Sequence, residues 1–122
     1  MTSAADSELA RLRALVRQFV DERDWDQFHT PKNLAAALTV EAAELLEHFQ
    51  WLQHGRVEEL GADKLMEVRH EMADVLVYLV RLADKLDVDL FEAVREKMVL
   101  NREKYPAEQV RGDARKYDEY KK

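Results

Sequence analysis

Apolar residues return every three or four positions along almost the whole chain, and only three glycines and two prolines stand among its 122 residues to interrupt them. That period belongs to amphipathic helices, whereas half-buried strands alternate with period two and need many more turn residues between them. The chain is therefore expected to be all-α. At 14.3 kDa it has material for one sizeable core, so a single domain is expected over residues 1–122, with a helical part from about 7 to 105 and a polar tail from 106 to 122.

The breaks divide this pattern into an antiparallel bundle of about four helices. From Ser7, the residues Leu9, Leu12, Leu15, Val16, Phe19 and Val20 mark a first helix reaching about Arg23. "DWDQFHTPKN" interrupts it, with Thr30 placed to cap a second helix and Pro31 to occupy its first turn, where a missing amide hydrogen costs nothing. Leu34, Leu38, Leu45, Phe49 and Leu52 carry that helix toward "HGR", where Gly55 is the expected C-terminal cap. A third helix is expected from near Asp63 to about Leu86, its middle apolar nearly all round, as in a buried spine or an element shared with another subunit. The fourth starts at "DLFE", where Asp89 and Glu92 have capping-box spacing, and stops before Pro106; the polar tail is expected to gain order only by docking.

Several classes of function are disfavoured. Hydrophobic residues at 47% and charged residues at 36% suit a folded chain. A net charge of -6 argues against a nucleic-acid polymer as partner, because that binding relies on basic side chains releasing phosphate counterions. With no cysteine there is no disulfide and no thiolate metal site. The longest apolar run, "VLVYLV" at 75–80, is far short of a membrane span, and "MTSAADSELARLR" lacks a secretory apolar segment. A soluble, cytoplasmic protein without membrane contact is expected.

The chemistry is concentrated in two acidic pairs. Glu41 and Glu44 lie three residues apart on the second helix, and Glu71 and Asp74 three apart on the third, so each pair shares a helix face with about 60° between its members. With the second helix ending about ten residues after Glu44 and the third starting about eight before Glu71, the offsets are about 15 and 12 Å, and antiparallel packing brings both pairs to nearly one level. Acidic pairs on helices are ordinarily solvated surface. Here their apolar flanks, "AALTVEAAELL" and "EMADVLVYLV", place them where like charges require compensation. Oxygen-only ligands favour magnesium, manganese or calcium over zinc. A di-iron bundle is a poorer fit, since it uses two Glu-x-x-His motifs and the chain offers only Glu67 with His70.

Around these pairs lie Trp25, Phe28, His29 and Trp51, with Tyr78 one turn beyond Asp74, a set of rings able to sandwich a nucleobase although each singly reads as core. On the fourth helix, Lys97, Asn101 and Lys104 recur at spacings of four and three, with Arg102 and Tyr105 adjacent. This is either a solvated basic face near a helix C-terminus or a clamp for phosphate and sugar.

Taken in order, "RDWDQFHTPKNLAAAL", "EAAELLEHFQW", "EMADVLVYLVRLADKLDVDL", "KMVLNREKYP" and "RGDARKYDEY" resemble the all-α nucleoside triphosphate pyrophosphatases of the MazG-like superfamily, most closely the dCTP pyrophosphatase branch, over about residues 7–120. The resemblance implies a homo-oligomer, dimer or tetramer. It also implies Mg2+-dependent hydrolysis (Mn2+ as an alternative ion) of a nucleoside triphosphate to monophosphate and pyrophosphate. It makes Glu41, Glu44, Glu71 and Asp74 metal ligands, with Glu41 or Glu44 activating water, and it lines a base pocket with Trp25, Phe28, His29, Trp51 and Tyr78. It gives phosphate and sugar contacts to Lys97, Asn101, Arg102 and Tyr105, and a closing tail to Arg111 and Lys116. Many members have adjacent glutamates opening the second-helix motif, whereas Val40 precedes Glu41 here, so a metal contact from that position is absent. Two alternatives remain at this stage: a related pyrophosphatase preferring dUTP or another nucleotide, and a noncatalytic nucleotide-sensing helical oligomer.

Overall fold

The computed structural model of the protein describes residues 7–114, and among them the regular structure is entirely helical. Four long helices, α1 (Glu8–Glu22), α2 (Pro31–Glu47), α3 (Val57–Lys85) and α4 (Leu90–Lys104), are followed by a short α5 (Ala107–Val110), with one 3-10 turn at Asp26–Phe28 between α1 and α2. The chain divides into two compact units, Met1–Val88 and Asp89–Lys122. None of the described helices is long and apolar enough to cross a membrane.

The starts of α2 and α4 follow the capping chemistry read from the sequence, and α1 starts on a cap of the same kind. Ser7 accepts a hydrogen bond from the Ala10 amide at 3.1 Å, Thr30 one from Asn33 at 3.1 Å, and Asp89 one from Glu92 at 3.0 Å. Each satisfies an amide with no partner inside its helix, an effect of about 1 kcal/mol. The ends of α1 and α3 were not foreseen in kind. Both finish on a left-handed aspartate, Asp24 (φ 54) and Asp87 (φ 55), with paired bonds back into the last turn: Asp24 N–H to Asp21 and Trp25 N–H to Val20, Asp87 N–H to Asp84 and Val88 N–H to Ala83. This is the Schellman pattern with aspartate in the place usually held by glycine.

Helix α2 is shorter than the apolar spacing suggested. It stops at Glu47, and Phe49 and Leu52 continue in tight turns in which their amides bond to Leu46 (2.9 Å) and Phe49 (3.0 Å). Gly55 is therefore not its cap. It has φ 77 in the connecting loop, where a Cβ would lie 2.7 Å from Cδ1 of Phe49, so both backbone and packing demand glycine. Glu59 accepts from the Gln53 amide at 3.1 Å and the His54 amide at 3.2 Å, securing this loop to the start of α3. That start, at Val57, lies before the expected Asp63, because an extra turn precedes a break at Gly61 (φ 78, ψ 168). In the second unit, α5 forms within the tail expected to gain order only by docking.

Within the first unit, α3 is the spine, packed along α2 and also against α1. The buried apolar side chains are Val16 and Val20 from α1, Leu34 from α2, and Val68, Val80 and Ala83 from α3. His48, just past α2, approaches Glu67 at 3.7 Å, while Glu41 and Glu44 face Glu71. Ascending positions on one helix thus meet descending positions on the other, and the pair is antiparallel. The middle of α3 is not apolar all round, because Glu71, Asp74 and Arg81 share one face; Met72, Leu76 and Leu79 are 57%, 44% and 38% exposed on the side that also carries the buried Val68, Val80 and Ala83.

Candidate functional site

Glu41 and Glu44 on α2 and Glu71 on α3 each place a carboxylate oxygen within 4.8 Å of the other two, and all three side chains are half-buried. Glu41 Oε2 and Glu71 Oε2 are fully buried and have no hydrogen-bond partner. An ionised carboxylate only accepts, so oxygens facing one another without a donor are unfavourable by several kcal/mol until a proton or a cation lies between them. The consequence is visible at Glu41. Burial first, then its contacts with Glu44 and Glu71 and the charges of Glu44 and Asp74, push its carboxyl up to about 7. Asp74 is exposed and stands at the margin of the group, where its charge acts on Glu41. Oxygen-only donors, two of them buried and unsatisfied, are compatible with a hard divalent cation.

The convergence arises by a different route from the height arithmetic. Because α2 ends at Glu47, Glu44 lies only about 4.5 Å before its terminus, whereas the unbroken part of α3 beyond Gly61 begins about 13 Å before Glu71. The turns over residues 48–56 take up the difference, so the pairs meet although the helices do not end together.

On α3, Glu71, Asp74, Tyr78 and Arg81 form one stripe, recurring at three, four and three residues. The Tyr78 hydroxyl is raised above its ordinary range by burial and then by the charges of Glu41, Asp74 and Glu44, which puts the phenol within electrostatic reach of the carboxylates. Three of the other expected pocket residues come from the segment between α1 and α2. There the Schellman turn at Asp24 fixes the exit of Trp25, whose ring meets Phe19 edge-on at 5.7 Å between centroids. Trp25 and Phe28 are exposed by 43% and 61%, and His29 is half-buried. Trp51, in the 48–56 loop, is 88% exposed. Lys97, Asn101, Arg102 and Tyr105 belong to the second unit: the first three lie on α4, Asn101 half-buried and the others exposed, and Tyr105 is the residue that ends it. Arg111 follows α5 and is exposed, and Lys116 lies outside the described residues.

One polar centre was missed in the sequence. Arg81 is 5% exposed, buried within α3, and its guanidinium reaches three acceptors: Nε donates to His29 Nδ1 at 3.2 Å, and the two terminal nitrogens donate to Asp84 Oδ2 at 3.4 Å and to Asp26. Lys85 also donates to Asp26 at 2.9 Å, and Arg17 of α1 grips Asp84 through two bonds of 2.6 and 2.5 Å. A buried guanidinium is unfavourable by several kcal/mol unless it is fully paired, and this ladder of alternating charge supplies the pairing. It holds Asp84 well below the usual carboxylate range, chiefly through the hydrogen bond from Arg17. His29 is held below its ordinary value, first by burial and then by the Arg81 charge. A single arginine inside "VLVYLVRLA" was the available signal, although its partners, 52 and 55 residues away, could not be read from spacing.

The chain is similar to several known proteins. Residues 36–120 match the family described as MazG-like. A human protein named dCTP pyrophosphatase 1 is 45% identical over 113 residues, covering 91% of this chain, and the bovine protein of that name is 42% identical over 119 residues. The chain spans 66% of the human relative's length and 69% of the bovine one's. A crystal structure of a pyrophosphatase from Archaeoglobus fulgidus superposes with a TM-score of 0.73 at 41% identity, over 87% of this chain and 99% of that one.

Proposed function

The chain belongs to the MazG-like family, and from that premise we propose that it is a nucleoside triphosphate pyrophosphohydrolase, its whole length acting as one such domain. The reaction adds water across the bond between the α-phosphorus and its bridging oxygen, giving a nucleoside monophosphate and pyrophosphate. The preferred substrate is dCTP or a modified dCTP, a choice supported by relatives named for dCTP. A cytoplasmic nucleotide pool is the setting proposed.

The observation that carries the reading is the meeting of Glu41, Glu44 and Glu71 across α2 and α3, with two buried oxygens lacking any donor. These residues, with Asp74 beside them, would hold Mg2+, or Mn2+ in its place. When bound, such an ion neutralises charge on the phosphates and favours attack at phosphorus. The protein's own contribution is chiefly position and electrostatics. Glu41, whose carboxyl is raised to about 7, or its neighbour Glu44, orients the attacking water and accepts its proton. Trp25, Phe28, His29, Trp51 and Tyr78 receive the nucleoside, their rings offering stacking faces worth about 1–3 kcal/mol per base. Lys97, Asn101 and Arg102 of α4, with Tyr105 just after its last residue, supply phosphate and sugar contacts from a neighbouring copy in a homo-oligomeric dimer or tetramer.

The test is pyrophosphate release, with and without magnesium, across dCTP, 5-methyl-dCTP, dUTP, dATP, dGTP, dTTP and the ribonucleotides. Magnesium-dependent release, fastest with a cytosine nucleotide, is the expected result. Faster turnover of dUTP moves the substrate assignment, and nucleotide binding without release at saturating triphosphate and magnesium replaces the enzyme with a sensor.

A further inference from the structure

We propose that Arg81 is a positioning residue of the nucleoside pocket, holding the Asp26–His29 segment against α3 and presenting the Nε2–H of His29 to a hydrogen-bond acceptor on the substrate. This inference rests on the hydrolase reading and adds to it a residue that acts through the segment it holds. Its first support is the donor count. A guanidinium carries only donors, so the Nε of Arg81, 3.2 Å from His29 Nδ1, requires that nitrogen to be the acceptor of the ring and leaves the single imidazole proton on Nε2. The second is placement. Arg81 is the buried charged residue among those described, and it continues the stripe of Glu71, Asp74 and Tyr78 along one face of α3, about 15 Å from first to last. The segment it grips therefore stands in a set register to the carboxylates. The third is its span. Its three acceptors lie on two elements, Asp84 within α3 and Asp26 and His29 in the 3-10 turn and its cap, and the bond to Asp84 extends through Arg17 to α1. The exposed rings of Trp25 and Phe28 lie in the same short segment, so one fork sets the angle of the pocket's wall.

Four variants and one spectroscopic measurement test this in the full chain with magnesium and dCTP. Arg81→Met keeps the length and loses every donor, whereas Arg81→Lys keeps the charge and loses the planar fork. KM is expected to rise at least about tenfold in both, with kcat within about threefold of wild type and helical content unchanged. Combining Arg81→Met with His29→Ala is expected to raise KM little beyond the larger single effect, because both act through one contact. In wild type at neutral pH, imidazole 15N shifts of His29 are expected to report a neutral ring protonated at Nε2, a readout that needs no variant to fold. An unchanged KM in Arg81→Met, a wild-type KM in Arg81→Lys, additive effects in the double variant, or a proton on Nδ1 would each overturn the inference while leaving the hydrolase standing. Absence of turnover by wild type with every nucleotide would remove both.

Discussion

Glu71 has a buried oxygen with no donor to satisfy it, so its charge opposes folding in the metal-free chain while serving the proposed ion. Glu71→Gln should therefore lower pyrophosphate release by at least about a hundredfold, the order seen when one charge-stabilising group is removed from a site. The thermal midpoint without metal should hold or rise, and a midpoint that falls together with activity would assign Glu71 to structure instead. Glu41 makes a second, pH-linked case. Its carboxyl is raised from an ordinary 4.5 to about 7, so between those values the native chain binds more protons than the unfolded one. Stability must then fall as pH rises through that window. Thermal midpoints measured in chelator should decline from about pH 5 to pH 8, and magnesium should flatten the decline, because ion and proton compete for the same oxygens. Asp84 works with the opposite sign: its depressed value adds stability at neutral pH that is lost as acid protonates it.

Among the elements, the connection between α2 and α3 decides whether the carboxylates meet. It is built on Gly55, whose positive φ and contact with Phe49 exclude a side chain, and on Glu59, which gathers the loop amides. Gly55→Ala should destabilise the fold by more than about 1 kcal/mol, from left-handed backbone strain together with displacement of the Phe49 ring. Urea unfolding measures the loss, and an unchanged midpoint would mean that the loop relaxes without cost. Capping made the starts of α2 and α4 legible, since Thr30 and Asp89 announce themselves by type and by the residues that follow, whereas α3 starts without a side-chain cap. The ends of α1, α3 and α4 also lie where the spacing put them, and the end of α2 does not. Apolar spacing continued through Phe49 and Leu52 although the helix did not, because turns of the 3-10 kind place apolar side chains at a similar period. At α1 and α3 the spacing gave the position of the end but not its kind, because Asp24 and Asp87 occupy left-handed caps that glycine usually marks.

At the scale of the molecule, the first unit buries few apolar side chains and leaves many in view. Six are buried among the described residues, while Leu15, Leu46 and Met72 are each more than half exposed. A chain that is monomeric in water seldom shows so much apolar surface along its main helices. Sedimentation at micromolar concentration should therefore find a dimer or tetramer, and a monomer at that concentration would remove the proposed assembly. In that assembly, Leu15→Glu or Met72→Glu should lower the sedimenting mass if the face that carries it is covered, with helical content retained.

The all-helical class, the starts of α1, α2 and α4, and the spacing of the two acidic pairs were settled by sequence alone, because period, capping and i to i+3 spacing are local and survive without a partner. Tertiary structure decided which oxygens meet, which of them lack a donor, and that Arg81 joins α3 to a segment more than 50 residues earlier. Those are properties of distance between elements, and they depend on a loop path and a buried network whose members share no period along the chain.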